Sequence, residues 1–145
     1  MDIEAIYRGE EIKKLLKQRA PILMIDTLYK ADTQEGVTGL TITADNFFCR
    51  EGELTEPGLI EHIAQSASAF VSYNESIKDS NNGEALLGYI GEVKKFRLGG
   101  QLPHVGNEVV TTIQVQSVVG NITLFSAKSE VDGALVATCQ MKLSV

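Results

Sequence analysis

An α+β domain, in which one long helix is wrapped by a curved six-stranded antiparallel sheet, is predicted by three features of this 145-residue sequence. A single central segment carries helical spacing of apolar residues over about five turns. Two stretches before it and four after it carry the patterning of strands. The last of those strands are joined by dipeptides suited to two-residue hairpins. The length suits one domain, residues 1–145, that buries roughly two thirds of its unfolded surface. No repeat, low-complexity tract or Pro/Ser-rich linker marks an internal boundary.

The elements follow in order. Gly9 to Gln18 reads as a short helix, with Ile12, Leu15 and Leu16 at helical spacing, and Pro21 ends it because proline cannot extend the hydrogen-bond ladder. Ile22 to Tyr29 and Gly36 to Ala44 read as strands. After Pro57-Gly58 the period changes: apolar residues at 59, 60, 63, 64, 67, 70 and 71 describe a helix ending near Ile77, some ~30 Å long, with Pro57 suited to its first turn. Asp79 to Gly83 reads as an exposed loop. Ala85 to Leu98, Glu108 to Val119, Ile122 to Val131 and Ala134 to Val145 then read as strands, with Gly120-Asn121 and Asp132-Gly133 as hairpin signals. In the last strand Leu135, Ala137, Cys139, Met141 and Leu143 point inward, and Thr138, Gln140, Lys142 and Ser144 outward. A meander of this kind with one apolar helix closes by curling around it, which is the hot-dog arrangement.

Composition narrows the function classes. The formal net charge of −6 argues against a general binder of nucleic acid or anionic membrane, which needs a positive field. No apolar run approaches the roughly 20 residues that span a bilayer, and Met1-Asp2-Ile3-Glu4 lacks the flank and core of a secretory signal, so a cytoplasmic location is expected. The two cysteines, Cys49 and Cys139, supply neither a disulfide framework nor metal-ligand spacing, and both are expected as reduced thiols. No nucleotide, cofactor or metal motif is present.

Several motifs carry a family likeness: Leu16 to Asp26 (LKQRAPILMID), Asn46-Phe47-Phe48, Pro57-Gly58, and Glu61-His62-Ile63-Ala64-Gln65. Val93 to Leu98 (VKKFRL) and the hairpin strand through Asp132-Gly133-Ala134-Leu135-Val136 complete the set. In this order they resemble the 3-hydroxyacyl-acyl-carrier-protein dehydratases of the hot-dog superfamily, over about residues 12 to 145. Asn46 to Leu54, with an Arg-acidic-Gly element nine residues before Glu61, is similar to the dehydratase-like proteins of aryl-polyene and related pigment pathways. The likeness implies an acyl thioester substrate carried on the phosphopantetheine arm of an acyl carrier protein, and a dimer. It breaks at one element. The catalytic dehydratases follow Phe-Phe with a Gly-His-Phe-Pro motif whose histidine is the base. Here the place reads Cys49-Arg50-Glu51-Gly52, two residues shorter on the way to Pro57, with no histidine.

Dehydrating a 3-hydroxyacyl thioester needs a base for the proton beside the carbonyl, an acid for the departing hydroxyl, and N–H donors for the enolate-like oxygen. Glu61 is the leading candidate acid: it stands one turn inside an apolar helix, and by resemblance occupies the place of the dehydratases' catalytic carboxylate. Gln65, one turn on, would orient Glu61 or the substrate. The competing reading makes Glu61, Gln65, Ser68 and Ser72 a solvated stripe. His62 is about 100° round the helix from Glu61, either lining the cleft or serving as a hydrogen-bonded core or interface histidine. His104 reads as an exposed turn residue, Cys49 as an unsupported nucleophile and Cys139 as packing. Gly52 and Gly58 either offer N–H groups to the substrate near the helix start or simply serve turns.

Lys94, Lys95 and Arg97 form the densest basic cluster, fit either to dock an acidic carrier protein or to protect a solvated sheet edge. Strand alternation puts Lys95 and Arg97 on one face and Lys94 on the other. The leading reading is a carrier-dependent dehydratase subunit, pairing through Ala85 to Leu98 as a homodimer or with a histidine-bearing relative. Two rivals remain: a hot-dog thioesterase in which Glu61 activates water, and a non-catalytic acyl-binding or assembly subunit.

Overall fold

A computed structural model of the chain describes residues 4–77 and 89–144; for 89–91 only the backbone is described. The order is β1 (Tyr7–Arg8), a 3-10 helix (Gly9–Lys14), β2 (Thr27–Ala31), β3 (Glu35–Thr41), β4 (Cys49–Arg50), β5 (Glu53–Leu54), α1 (Glu56–Ile77), β6 (Tyr89–Leu98), β7 (Glu108–Val119), β8 (Ile122–Val131) and β9 (Ala134–Ser144). Among the described residues, seven strands form one antiparallel sheet, in the order β1-β2-β3-β7-β8-β9-β6, and β4 and β5 form a small separate hairpin. The sheet therefore has one strand more than the six expected, the two-residue β1, too short to show a period.

α1 is buried on nearly every side, because it touches β2, β3, β7, β8 and β9. Its sheet side presents Leu59, Ile63, Ala67 and Phe70 to Leu40, Val109, Ile113, Phe125, Met141 and Leu143. Its other side is covered through Ala69 by Ile12, Leu15, Leu16, Ile25 and Leu28. Each such aliphatic side chain contributes roughly 1.5–3 kcal/mol when fully buried. Two apolar flanks on one helix explain why its pattern is only weakly one-sided. The wrapped-helix architecture is the one the sequence predicts.

Local corrections have local causes. The first helix is a 3-10 turn ending at Lys14, not an α-helix running to Gln18. It closes at Leu15, whose N–H donates to Ile12 O, six residues before Pro21; beyond that end the Arg19 guanidinium donates to the carbonyls of Leu16 (2.6 Å) and Gln18 (2.9 Å). The strand expected from Ile22 starts only at Thr27, and the one expected to reach Ala44 stops at Thr41. In β9, the pairs Ser129↔Ala137 and Glu130↔Leu135 leave Val136 as an extra residue. This bulge buries Val136 and turns Leu135, expected inside, out to 41% exposure. The hairpin signals hold, with Gly120, Asp132 and Gly133 all at positive φ. The loop expected over Asp79 to Gly83 and the start of the strand expected at Ala85 lie outside the described residues, as does Val145.

Candidate active site

Residues 22–26, lacking a strand partner, take their main-chain hydrogen bonds from elsewhere. The N–H groups of Ile22 and Leu23 donate to Arg19 O, and that of Asp26 donates to Gly39 O. Asp26 O accepts from Gly9 N–H, and side chains of α1 meet three further groups. Met24 N–H donates to Gln65 Oε1 (2.6 Å), Gln65 Nε2 donates to Ile22 O (2.8 Å), and His62 Nδ1 donates to Met24 O (2.7 Å). The second Gln65 Nε2 proton goes to Glu61 Oε1 at 2.9 Å. Every polar valence that sets the orientation of the Gln65 amide is thus used, and Glu61 is held beside the Ile22–Met24 segment. Asn46 joins from the loop before β4, donating from Nδ2 to Met24 Sδ (3.4 Å) while its Oδ1 accepts Phe48 N–H (2.8 Å). Sequence reasoning noted Asn46 only as part of a motif; nothing in the local pattern announces a contact 22 residues away.

Gln65 and Ser72 are each 1% exposed and Glu61 is partly buried, so the four-residue stripe along α1 is not a solvated face. His62 is completely buried. Because Met24 O can only accept, Nδ1 carries the proton and Nε2 is the acceptor, taking a hydrogen bond from Thr111 Oγ1 at 2.8 Å. Thr111 Oγ1 in turn accepts from Ser129 Oγ at 2.6 Å. Burial pushes the imidazole down to about 4, against a partial upward pull from its bond to Met24 O and the charge of Asp26. Both ring nitrogens are engaged inside the protein, on the core side of the helix, and the structure does not bring them to a cleft shared with Glu61.

The candidate glycines have structural tasks. Glu51 and Gly52, at φ +53° and +78°, form the tip of the β4–β5 hairpin, where glycine relieves the strain of positive φ. Gly58 packs so closely that a Cβ there would meet Leu54 Cδ1 at 2.8 Å and crowd the Phe48 side chain. Its N–H points to the cap residue Thr55 (Oγ1, 3.3 Å), so it is not free for a ligand in this conformation. Before the helix start lies a cleft of about 570 Å³ lined by Phe47, Phe48, Arg50, Thr55 and Pro57. A second, of about 400 Å³, lies between the β6–β7 connection and the β8–β9 turn, with Leu102, His104 and Leu135 in its wall. Glu61 lines neither. His104 is half-exposed, bridged to Glu53 on the hairpin where the expected histidine is missing, its Nδ1 3.8 Å from Glu53 Oε2.

Cys49 is half-buried and Cys139 buried, and desolvation raises both thiols, that of Cys139 to about 11, so neither is poised as a nucleophile. Among the described residues no cluster could hold a metal ion, and no helix is long and apolar enough to cross a membrane.

The basic cluster is rearranged by a bulge. Lys95 has φ +55°, and between the pairs Lys94↔Gln140 and Arg97↔Thr138 the strand β6 carries one extra residue. Gln140 and Thr138 share the outer face of β9, so Lys94 and Arg97 share it too, contrary to simple alternation. Lys128, paired with Thr138, and Lys142, paired with Glu92, extend the same face. Glu92 lies 3.6 Å from both Lys94 and Lys142, and Arg97 has no ion pair among the described residues.

Comparison with known proteins matches this arrangement. The family model of the ApeP-like proteins, described as ApeP dehydratase, matches residues 10–145. The 3-hydroxyacyl-[acyl-carrier-protein] dehydratase FabZ of Rhizobium johnstonii is 34% identical over 137 residues, covering 88% of this chain and 81% of that protein. The FabZ of Staphylococcus epidermidis is 24% identical, covering 99% and 98%. Among solved structures, the dehydratase heterocomplex ApeI:P from Xenorhabdus doucetiae shares the fold with a TM-score of 0.82 at 14% identity, covering 92% of this chain and 89% of that one. The PaaI protein of E. coli shares it at 0.62 and 13% identity, covering 81% of each chain. With a hot-dog fold, a helix carboxylate held by Gln65 and a family model spanning all but its first residues, the chain belongs to the ApeP-like dehydratase family.

Proposed function

We propose that this chain dehydrates 3-hydroxyacyl thioesters presented on an acyl carrier protein, with Glu61 as the group that protonates the leaving hydroxyl. The observation that carries the reading is the clamp on Glu61. Gln65 donates to its carboxylate at 2.9 Å and is itself immobilised by Ile22 O and Met24 N–H, so the carboxyl group is aimed at low entropic cost. The base is not supplied from the place where related enzymes carry it, since that hairpin reads Cys49-Arg50-Glu51-Gly52. His62 is neutral, internally bonded and assigned here to positioning. The chain then supplies the carboxylate half of a shared site, and a histidine-bearing hot-dog relative supplies the base. Support for such pairing comes from the ApeI:P assembly, a dehydratase heterocomplex of the same fold, and from β6, an edge strand with Val93 and Leu98 exposed at 37% and 43%. The outer basic face of Lys94 and Arg97, with Lys95 at the bulge, is the surface we assign to the acidic carrier.

The test is co-expression with a histidine-bearing relative encoded nearby, purification of the mixed dimer and assay of a 3-hydroxyacyl carrier thioester. Enoyl product from the mixed dimer, with turnover lower by about 10²–10⁴ in the homodimer, is the expected result. A homodimer at full rate overturns the half-site reading. Release of free thiol in place of enoyl product makes the chain a thioesterase.

A further inference from the structure

Inside the apolar core runs one polar row. Thr38 on β3 pairs with Thr111 on β7, which pairs with Ser129 on β8, and all three are 0% exposed beneath α1. Buried hydroxyls must find partners, because one left unpaired loses its bonds to water with nothing in exchange. Here all of them find His62. Ser66 Oγ donates to His62 O at 2.7 Å, and Thr38 Oγ1, 2.6 Å away, donates to Ser66. Ser129 donates to Thr111, Thr111 to His62 Nε2, and His62 Nδ1 to Met24 O. The polarity of the second chain is forced from its far end, where a carbonyl can only accept. Two strands of the sheet, β7 and β8, are thereby wired through one imidazole to the strandless segment that adjoins Glu61, while β3 is tied through Ser66 to the His62 carbonyl.

We propose that Thr111, Ser129 and His62 are positioning residues for the dehydration site: they hold His62 as its Nδ1–H tautomer, and so hold the Ile22–Met24 wall against which Gln65 and Glu61 are set. Met24 is fixed at both main-chain groups by α1, its N–H by Gln65 and its carbonyl by His62. Loosening the carbonyl end lets the segment drift, and Gln65, bonded to Ile22 and Met24, drifts with it. The Glu61 carboxyl then loses its orientation although no residue touching it has changed. This rests on Glu61 being the catalytic carboxyl, but the wiring itself can be read without catalysis.

The experiment uses the full chain. Nitrogen-15 imidazole spectra at pH 7 give the His62 tautomer directly: protonated Nδ1 with bare Nε2 is expected, and the opposite tautomer overturns the proposal with no mutation made. Thr111→Val then removes the donor to Nε2 at nearly constant volume, and Thr111→Ser keeps it. Thr111→Val should raise the Met24 amide exchange rate tenfold or more and shift the Gln65 side-chain amide resonances, and Thr111→Ser should restore both. Unchanged signals in Thr111→Val, or equal changes in both variants, reduce the row to packing and overturn the proposal. Where Thr111→Val fails to fold, Ser129→Ala, one bond further out, replaces it with the same readings. In the active assembly Thr111→Val should lower kcat by about 10- to 100-fold with KM within about twofold, as expected of misaligned reacting groups. Glu61→Gln should remove turnover while leaving the His62 and Met24 signals untouched. If it keeps turnover, the Glu61 assignment fails and the wiring stands or falls by the spectra alone.

Discussion

Gln65 Nε2 lies 2.9 Å from Glu61 Oε1, one helical turn away, and the same nitrogen lies 2.8 Å from Ile22 O. A helix pair at this spacing contributes only a few tenths of a kcal/mol when exposed. Here the amide is buried and its oxygen is taken by Met24 N–H, so it cannot rotate away from the carboxylate. A surface contact has become a fixed mounting for Glu61.

Glu61→Gln should preserve the fold and remove turnover. The new side-chain oxygen still accepts from Gln65, so urea denaturation should move by less than about 0.5 kcal/mol. Loss of the proton donor should lower kcat by about 10²–10⁴ in the carrier-thioester assay. Wild-type turnover in this variant would remove Glu61 from the mechanism.

Stability should fall on acidification between the unfolded and folded values of His62. The imidazole titrates near 6.5 when unfolded and at about 4 when buried, so the unfolded chain binds the extra proton throughout that window. Stability from this group is complete above about 6.5 and is lost as pH drops toward 4, by about 3 kcal/mol. Urea denaturation of wild type and His62→Gln across pH 4 to 7 checks it: the variant should start less stable and show a flatter slope.

Gly58→Ala should destabilise the protein even though alanine is the better helix former. The propensity gain is about 1 kcal/mol, but the added carbon falls 2.8 Å from Leu54 Cδ1 and against Phe48 close to its backbone, so the neighbour cannot simply rotate aside. Overpacking of this kind costs about 1–3 kcal/mol, leaving a net loss of about 1 kcal/mol that a thermal or urea melt resolves.

Charge reversal of the outer face should act on association. Lys94→Glu with Arg97→Glu is expected to lower kcat/KM for carrier-bound substrate roughly tenfold at low salt, with the deficit shrinking as salt is raised. kcat at saturating carrier and the melting temperature should not change. A loss that is indifferent to salt would point to damage at the β6 edge.

How much of this was legible beforehand depended on whether the deciding interaction was local. The long helix, the hairpins at Gly120-Asn121 and Asp132-Gly133 and the bounds of β7 and β8 are written in period and turn chemistry, which act over a few residues. Glu61 and Gln65 could be paired from sequence because a helix turn sets their spacing. What tertiary structure alone decided lies where two distant segments share one requirement. Residues 22–26 look like a strand by composition, yet Ile22 O and both main-chain groups of Met24 are bonded by side chains about 40 residues away on α1. Lys94 and Arg97 share a face, and Leu135 leaves the core, because the strands they pair with impose bulges that alternation cannot foresee. Thr38, Thr111 and Ser129 look like ordinary strand hydroxyls until the register sets them side by side under His62, and burial then obliges each to find a partner.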